Sequence, residues 1–167
     1  MEACMKVSAH KVEIIQYRPE FREHFKRLNL EWIETFFIVE PPDVEVLSDP
    51  EGYVLQNGGA IFFARLENEI VGTCALIRRD ATTYELAKMA VTPEAQGNQI
   101  GKKLGLAVIA KARERGARAV VLETSDRLAP ALALYATLGF VRADPPREHH
   151  SPYQRSNVFM RLDLTPA

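Results

Sequence analysis

Between Ala87 and Leu104 the chain runs Ala-Lys-Met-Ala-Val-Thr-Pro-Glu-Ala-Gln-Gly-Asn-Gln-Ile-Gly-Lys-Lys-Leu. The first part is apolar and strand-like, the last part is helical, and the join contains Gly97 and Gly101. A strand that enters a helix through such a loop aims several unpaired backbone N–H groups into one concavity, together with the positive end of the helix dipole. That arrangement holds phosphate without a dedicated side chain. Gly97 and Gly101 let an anion come close to the backbone, and Lys102 and Lys103 add positive charge nearby. Short glycine motifs are weak evidence alone, and an ordinary strand-to-helix turn with a polar start explains these residues equally well.

The wider pattern separates the two readings. Val91-Thr92-Pro93 is followed by Gln96-Gly97-Asn98-Gln99-Ile100-Gly101 and a helix. Further on, Ala131-Leu-Ala-Leu-Tyr135-Ala-Thr-Leu-Gly-Phe140 sets a tyrosine in a small-residue helix ahead of Gly-Phe. In this order, joined by a helix and a strand, the two segments resemble the GNAT superfamily of acyl-CoA-dependent N-acetyltransferases, firmly over about Ala60 to Phe140. The resemblance implies the acyl-CoA N-acyltransferase fold, an α/β architecture whose mixed, mainly antiparallel central sheet is flanked by helices. It also implies acetyl-CoA as co-substrate, without a metal. The expected reaction is transfer of the acetyl group to a primary amine of a small molecule or peptide, directly within a ternary complex. A non-catalytic acyl-CoA-binding regulatory module is the alternative; it would keep the loop and could dispense with Tyr135 and Glu85.

By the same resemblance, the backbones of Met89, Ala90 and Val91 pair with the pantetheine arm, and one N–H polarises the thioester oxygen. Gln96, Gly97, Asn98, Gln99, Ile100, Gly101 and Lys102 surround the pyrophosphate. The family usually has glycine where Gln99 stands, so one close approach is altered, although an amide N–H exists at any non-proline residue. The family often places an asparagine where Ser125-Asp126 and Leu128 lie, so no asparagine contact carries over. Tyr135 occupies the position that protonates the departing sulfur. A phenol of pKa near 10 keeps its proton at pH 7 and can supply it to a thiolate of pKa near 8.5. Packing between helix and sheet is the plainer role for that ring.

A lysine-like amine has a pKa of about 10.4 and must lose a proton before it attacks. Some family members use as general base a glutamate that matches Glu85, six residues before Val91. A strand-edge carboxylate facing solvent is the equal alternative. Lys88 alternates away from Met89 and Val91 on an ideal strand. His149-His150 suggests a metal, but adjacent histidines rarely share one ion, and a loop is the better account. That loop, with Tyr153 and Arg155, precedes the last strand, where the family often shapes the acceptor pocket. Glu40 and Asp43 flank Pro41-Pro42, and two carboxylates there would suit a cationic amine. Exposed acids at a helix end are the commoner occurrence.

The elements that must position these residues follow from periodicity. Val12 to Tyr17 reads as a first strand. Phe21, Phe25, Leu28, Trp32 and Phe36 recur at helical spacing and mark a helix from about Glu20 to Phe37 with a core-facing stripe, which Pro41-Pro42 ends. A short helical or irregular piece covers Asp43 to Gln56, and Asn57-Gly58-Gly59 is a turn. Ala60 to Arg65, Ile70 to Arg78 and Thr83 to Val91 form an antiparallel meander, with Glu67-Asn68-Glu69 as its first tight connection. Gln99 to Arg115 is a helix stopped by Gly116, Ala119 to Leu122 a strand parallel to the one before it, and Ala129 to Leu138 a helix stopped by Gly139. A last strand pair begins at Val141 and returns through Asn157 to Leu164.

No repeat or linker divides the 167 residues, so residues 1–167 read as one domain. Lys and Arg (21) nearly balance Asp and Glu (22), which leaves no electrostatic footprint of a nucleic-acid binder. No apolar run reaches the roughly 20 residues of a membrane helix, and the start MEACMKVSAHK lacks a secretory apolar stretch. Cys4 and Cys74 read as reduced thiols, and the cytoplasm is the expected compartment. A homodimer is the default expectation for the family.

Overall fold

The computed structural model describes residues 11–164, so Cys4 lies outside them. The strands are β1 (Val12–Gln16), β2 (Ala60–Leu66), β3 (Glu69–Arg78), β4 (Thr83–Val91), β5 (Ala119–Thr124), β6 (Val141–Arg142) and β7 (Val158–Asp163). The helices are α1 (Arg22–Phe36), α2 (Pro41–Ser48), α3 (Ile100–Glu114) and α4 (Ala129–Thr137). One seven-stranded sheet runs β1-β2-β3-β4-β5-β7-β6. All its pairings are antiparallel except β4 with β5, which are joined by the α3 crossover.

Alternation along the strands divides the core between two faces. Cys74, Leu76, Val120 and Leu122 meet Leu104 and Val108 of α3 on one face. Ile61, Phe63 and Ala75 meet Phe25, Leu28 and Ile33 of α1 on the other. The expected aromatic stripe of α1 is only partly core. Phe25 and Leu28 are buried, but Phe36 is 48% exposed, and Ile33 takes the inward place one turn earlier. The helix ends at Phe36, ahead of Pro41-Pro42, and those prolines start α2 instead of stopping α1. Proline suits the first helical positions because no intrahelical N–H bond is lost there.

Two irregularities shape the centre of the sheet. In β4, Ala87 faces Ala75 and Ala90 faces Thr73, so Lys88 and Met89 together oppose Cys74 alone. This is a β-bulge, and Lys88 takes the left-handed conformation at φ 55°. The extra residue resets the alternation: Tyr84 and Leu86 face the α3 side before it, Met89 and Val91 after it. Beyond Glu85 and Val121, β4 has no further pairing with β5, whereas β5 continues along β7 to Thr124. The two parallel strands therefore part like a wedge.

Candidate active site

The wedge leaves one edge of β4 without a strand partner from Leu86 onward. On the other edge Ala90 and Val91 are in register with Thr73 and Gly72 of β3. Met89 and Val91 pack their side chains toward α3 and Ala90 is buried toward α1, so their backbone groups are what the open edge presents. An extended ligand lying there would act as a missing strand.

At the end of that edge the chain turns into α3. The Gln96 amide donates to the Pro93 carbonyl at 3.3 Å, and Asn98 Nδ2 to the Ala95 carbonyl at 2.9 Å, which fixes the loop from within. Ile100, Gly101 and Lys102 are the first three helical residues, and the Lys103 amide is the first to find a helical acceptor, the Gln99 carbonyl at 3.0 Å. Three amides thus point outward from the helix start. Gly97 sits at φ 90° with nothing within 4 Å of where a Cβ would be. A Cβ on Gly101 would come within 3.0 Å of Leu134, so glycine there keeps α3 against α4. Gln99 carries the left-handed conformation (φ 56°) that glycine would take without strain.

A cavity of about 380 Å³ opens beside the wedge, with Glu85, Lys88, Glu123 and Tyr135 among its walls, and Trp32 and Phe37 supplying an apolar side. Tyr135 comes from α4 and meets Phe140 edge-on at a centroid distance of 6.2 Å. Burial raises its phenol above the ordinary value, and the neighbouring Cys74 adds to the rise. Glu85 is 8% exposed, which excludes the solvent-facing edge carboxylate. Arg79 Nε and Nη2 both reach Glu85 Oε2. Burial nevertheless pushes the Glu85 carboxyl above the ordinary range, against Arg79 and with the help of Glu123.

A model of the acetyltransferase (GNAT) family matches residues 21–140, most of the chain. The chain belongs to this family. Among curated relatives, an uncharacterised N-acetyltransferase of Escherichia coli, YjgM, is 37% identical over 92 residues, covering 53% of this chain and 55% of that one. The chain thus spans about half the length of that relative. A GNAT acetyltransferase from Staphylococcus aureus superposes with a TM-score of 0.84 at 27% identity, covering 93% of this chain and all of the other. A Bacillus subtilis acetyltransferase solved in complex with CoA has a TM-score of 0.70 at 22% identity over 93% of this chain and 100% of that one, a likeness of fold.

Sequence reasoning missed the polar half of this GNAT cavity. Asp43, expected to be an exposed acid, is completely buried at the start of α2. It accepts from Lys88 Nζ at 2.7 Å, from Arg155 Nη1 and Nη2 at 2.8 and 2.7 Å, and from the Glu40 amide at 2.9 Å. Burial raises its carboxyl, but these donors outweigh it and hold the pKa at about 2. Glu40 accepts from the Gln154 amide at 2.8 Å and Arg155 Nη1 at 3.1 Å. Lys88, on the cavity side because of the bulge, also reaches Tyr153 Oη at 2.8 Å, and burial lowers its ammonium pKa. Residues 143–157 contain no helix or strand, yet they are tied down at both ends. Arg155 holds one end; His149 Nε2 contacts Glu123 at the other, with Ser151 Oγ donating to Glu123 at 2.8 Å. The segment is a built wall instead of a free loop. Among the described residues, no three His, Cys, Asp or Glu side chains are grouped to hold a metal, and no helix is long and apolar enough to cross a membrane.

Proposed function

We propose that this chain is an N-acetyltransferase that moves the acetyl group of acetyl-CoA to a primary amine of a small molecule or peptide, by direct transfer in a ternary complex. The parting of β4 from β5 beside a walled cavity carries the reading, because it offers a strand-like donor slot and a separate acceptor chamber that meet near Tyr135 and Glu85. The donor slot suits acetyl-CoA in chemistry: unpaired strand edge for an amide-bearing arm, then three outward amides with Lys102 for a pyrophosphate. Acetyl-CoA, when bound, supplies an activated acyl carbon and a good leaving thiolate. Glu85 takes the proton of the acceptor ammonium, a task helped by the raised basicity that burial gives it. Tyr135 holds a proton at neutral pH and delivers it to the leaving sulfur. The amides of Met89 to Val91 supply a fixed donor for the carbonyl oxygen where charge develops. A regulatory acyl-CoA-binding module would need the slot alone, and the walled chamber favours the enzyme. The buried free thiol of Cys74 fits a reducing compartment, and the cytoplasm is the proposed location.

The test is an amine-library screen with acetyl-CoA, read by release of free thiol, together with thermal melts. Millimolar acetyl-CoA should raise the melting temperature by mass action, and Lys102→Glu should reduce that rise. An unchanged melt refutes the donor slot; a stabilised protein that turns over no amine supports the regulatory reading.

A further inference from the structure

Tyr53 and Arg78 stand at the exposed rim of the cavity, whereas Asn29, Ile33 and Glu85 line it from within the fold. Asn29 sits at the middle of α1 and is 1% exposed. Its Nδ2 donates to the Phe25 carbonyl at 2.9 Å. In a helix that carbonyl already accepts the amide four residues on, so the side-chain bond satisfies nothing that α1 leaves open. With Nδ2 engaged, Oδ1 is the free end of the carboxamide, and it has no hydrogen-bond partner among the described residues. Yet no enclosed side-chain nitrogen or oxygen among those residues lacks a partner. Oδ1 is therefore not sealed in, and the space it opens on is the cavity that Asn29 lines. Several polar neighbours are already engaged: Lys88 and Arg155 by Asp43, Glu123 by Ser151 and His149. Arg79 occupies Oε2 of Glu85 and leaves Oε1. A leucine at position 29 would bury no polar atom, so packing alone gives no reason for asparagine there.

Resting on the reading of this cavity as the acceptor chamber, we propose that Asn29 Oδ1 is a substrate contact that orients the acceptor amine: it holds one N–H while Glu85 takes the proton of another. The placement supports both roles. Helix α1 packs over β3 and β4, and Ile33 shares its cluster with Ala90 of β4. Glu85 leaves β4 on that same side, since Tyr84 and Leu86 point to α3. Trp32 and Ile33, three and four residues past Asn29, share its helix face and line the same cavity. The nitrogen thus meets Asn29 and Glu85, and its carbon chain lies along Ile33 and Trp32. Asn29 neither gives nor takes a proton. As one N–H bond breaks toward Glu85, its electron pair stays on nitrogen as the nucleophile, and the N–H on Asn29 is kept. A neutral oxygen suits this task, because a second carboxylate there would favour the ammonium over the free amine. The substrate class is a primary amine on an alkyl or arylalkyl chain. A quaternary ammonium of equal charge, having no N–H, is refused.

The experiment is a carbon-13 NMR titration of the whole chain labelled at asparagine carboxamides, with the Asn29 signal assigned by its loss in Asn29→Leu. The probes are butylammonium and butyltrimethylammonium, each added with and without CoA. Butylammonium should shift the Asn29 carboxamide carbon, and butyltrimethylammonium should leave it in place. Trp32, the sole tryptophan, reports binding by fluorescence in the variant as well. Asn29→Leu should weaken butylammonium binding by about 10–100-fold, the usual worth of a hydrogen bond to a charged group. Its urea midpoint should not fall, since a half-used buried carboxamide is replaced by an apolar group; Asn29→Ala serves if the leucine does not fit. A carboxamide signal that butylammonium leaves in place under both conditions, or that both ions move alike, overturns the proposal. Equal butylammonium affinity in wild type and variant overturns it too. The titration involves no acetyl transfer, so it can fail while the transferase reading stands, or succeed in a protein that transfers nothing. With an acceptor from the amine screen, Asn29→Leu should raise KM by the same factor and lower kcat less, the pattern of lost substrate binding.

Discussion

Replacing Asp43 by asparagine keeps the shape of the side chain and removes one charge from the best-buried ionic cluster described. Asp43 is fully enclosed, and its two cationic partners, Lys88 and Arg155, have side chains only 7% and 14% exposed. Two routes give the cost. The carboxyl is held at about 2 against an ordinary 3.8, so the uncharged form is disfavoured in the fold by about 2 kcal/mol. Removing one partner from a buried ion pair typically costs about 3–5 kcal/mol, and asparagine still accepts one hydrogen bond. We expect a loss of about 2–4 kcal/mol, which at a urea dependence of about 2 kcal/mol/M moves the unfolding midpoint down by roughly 1–2 M. The pH dependence has a definite sign. A carboxyl held below its ordinary pKa stabilises the fold fully above about pH 4 and loses that contribution as the pH falls toward about 2. Asp43→Asn should therefore remove that part of the acid dependence as well as lower the plateau. Adding Lys88→Met to Asp43→Asn should cost less than Lys88→Met alone, because the stranded cation is then gone. A urea midpoint within about 0.3 M of wild type at pH 7 would refute the reasoning.

Tyr135→Phe should lower kcat by about 10–100-fold and leave the acetyl-CoA thermal shift intact, since it removes a hydroxyl and keeps the ring; loss of the thermal shift would recast Tyr135 as a binding residue. Because burial raises the phenol, the deficit of that variant should stay constant up to pH 10, and a deficit that closes below this would argue against the buried setting. Gln99→Gly relieves a left-handed backbone worth about 1–2 kcal/mol but frees the unfolded chain by about 0.4–1 kcal/mol. Denaturant unfolding should show stability unchanged or raised by up to about 1 kcal/mol, and a clear loss would mean that Gln99 is unstrained.

The proposed donor side of the site was readable because it is made of backbone. Helix starts, strand edges and glycines follow from local pattern, so the span Thr83–Val91 of β4 and the α3 start needed no knowledge of distant residues. The proposed acceptor side is made of side chains brought together from far apart. Lys88 does lie on the face away from Met89 and Val91, as alternation has it, but the bulge that turns it toward α2, on the side of Glu85, follows from no local pattern. Asp43 was read as exposed because Pro41-Pro42 looked like an ending, when the two prolines in fact open a helix whose third residue is aimed inward. His149 and Arg155 lie in a stretch without period, and what orders it are contacts to Glu123 and Asp43, 26 and 112 residues away. The resemblance located that wall without saying what it was built from.

The bulge at Lys88 has an evolutionary corollary. A single strand serves both chambers, but it serves one with peptide groups and the other with side chains. Substitution changes the second and leaves the first alone. On the proposed function, lineages carrying this strand can thus exchange Lys88 and its partners on α2 and in residues 143–157 to suit a new amine, with Glu85 and the backbone slot kept. The constraint falls on length: deleting one residue from β4 would restore regular alternation and swap the facing of everything beyond it. In a family alignment, tolerance to replacement combined with intolerance to insertion or deletion at this point would be the trace of that division of labour.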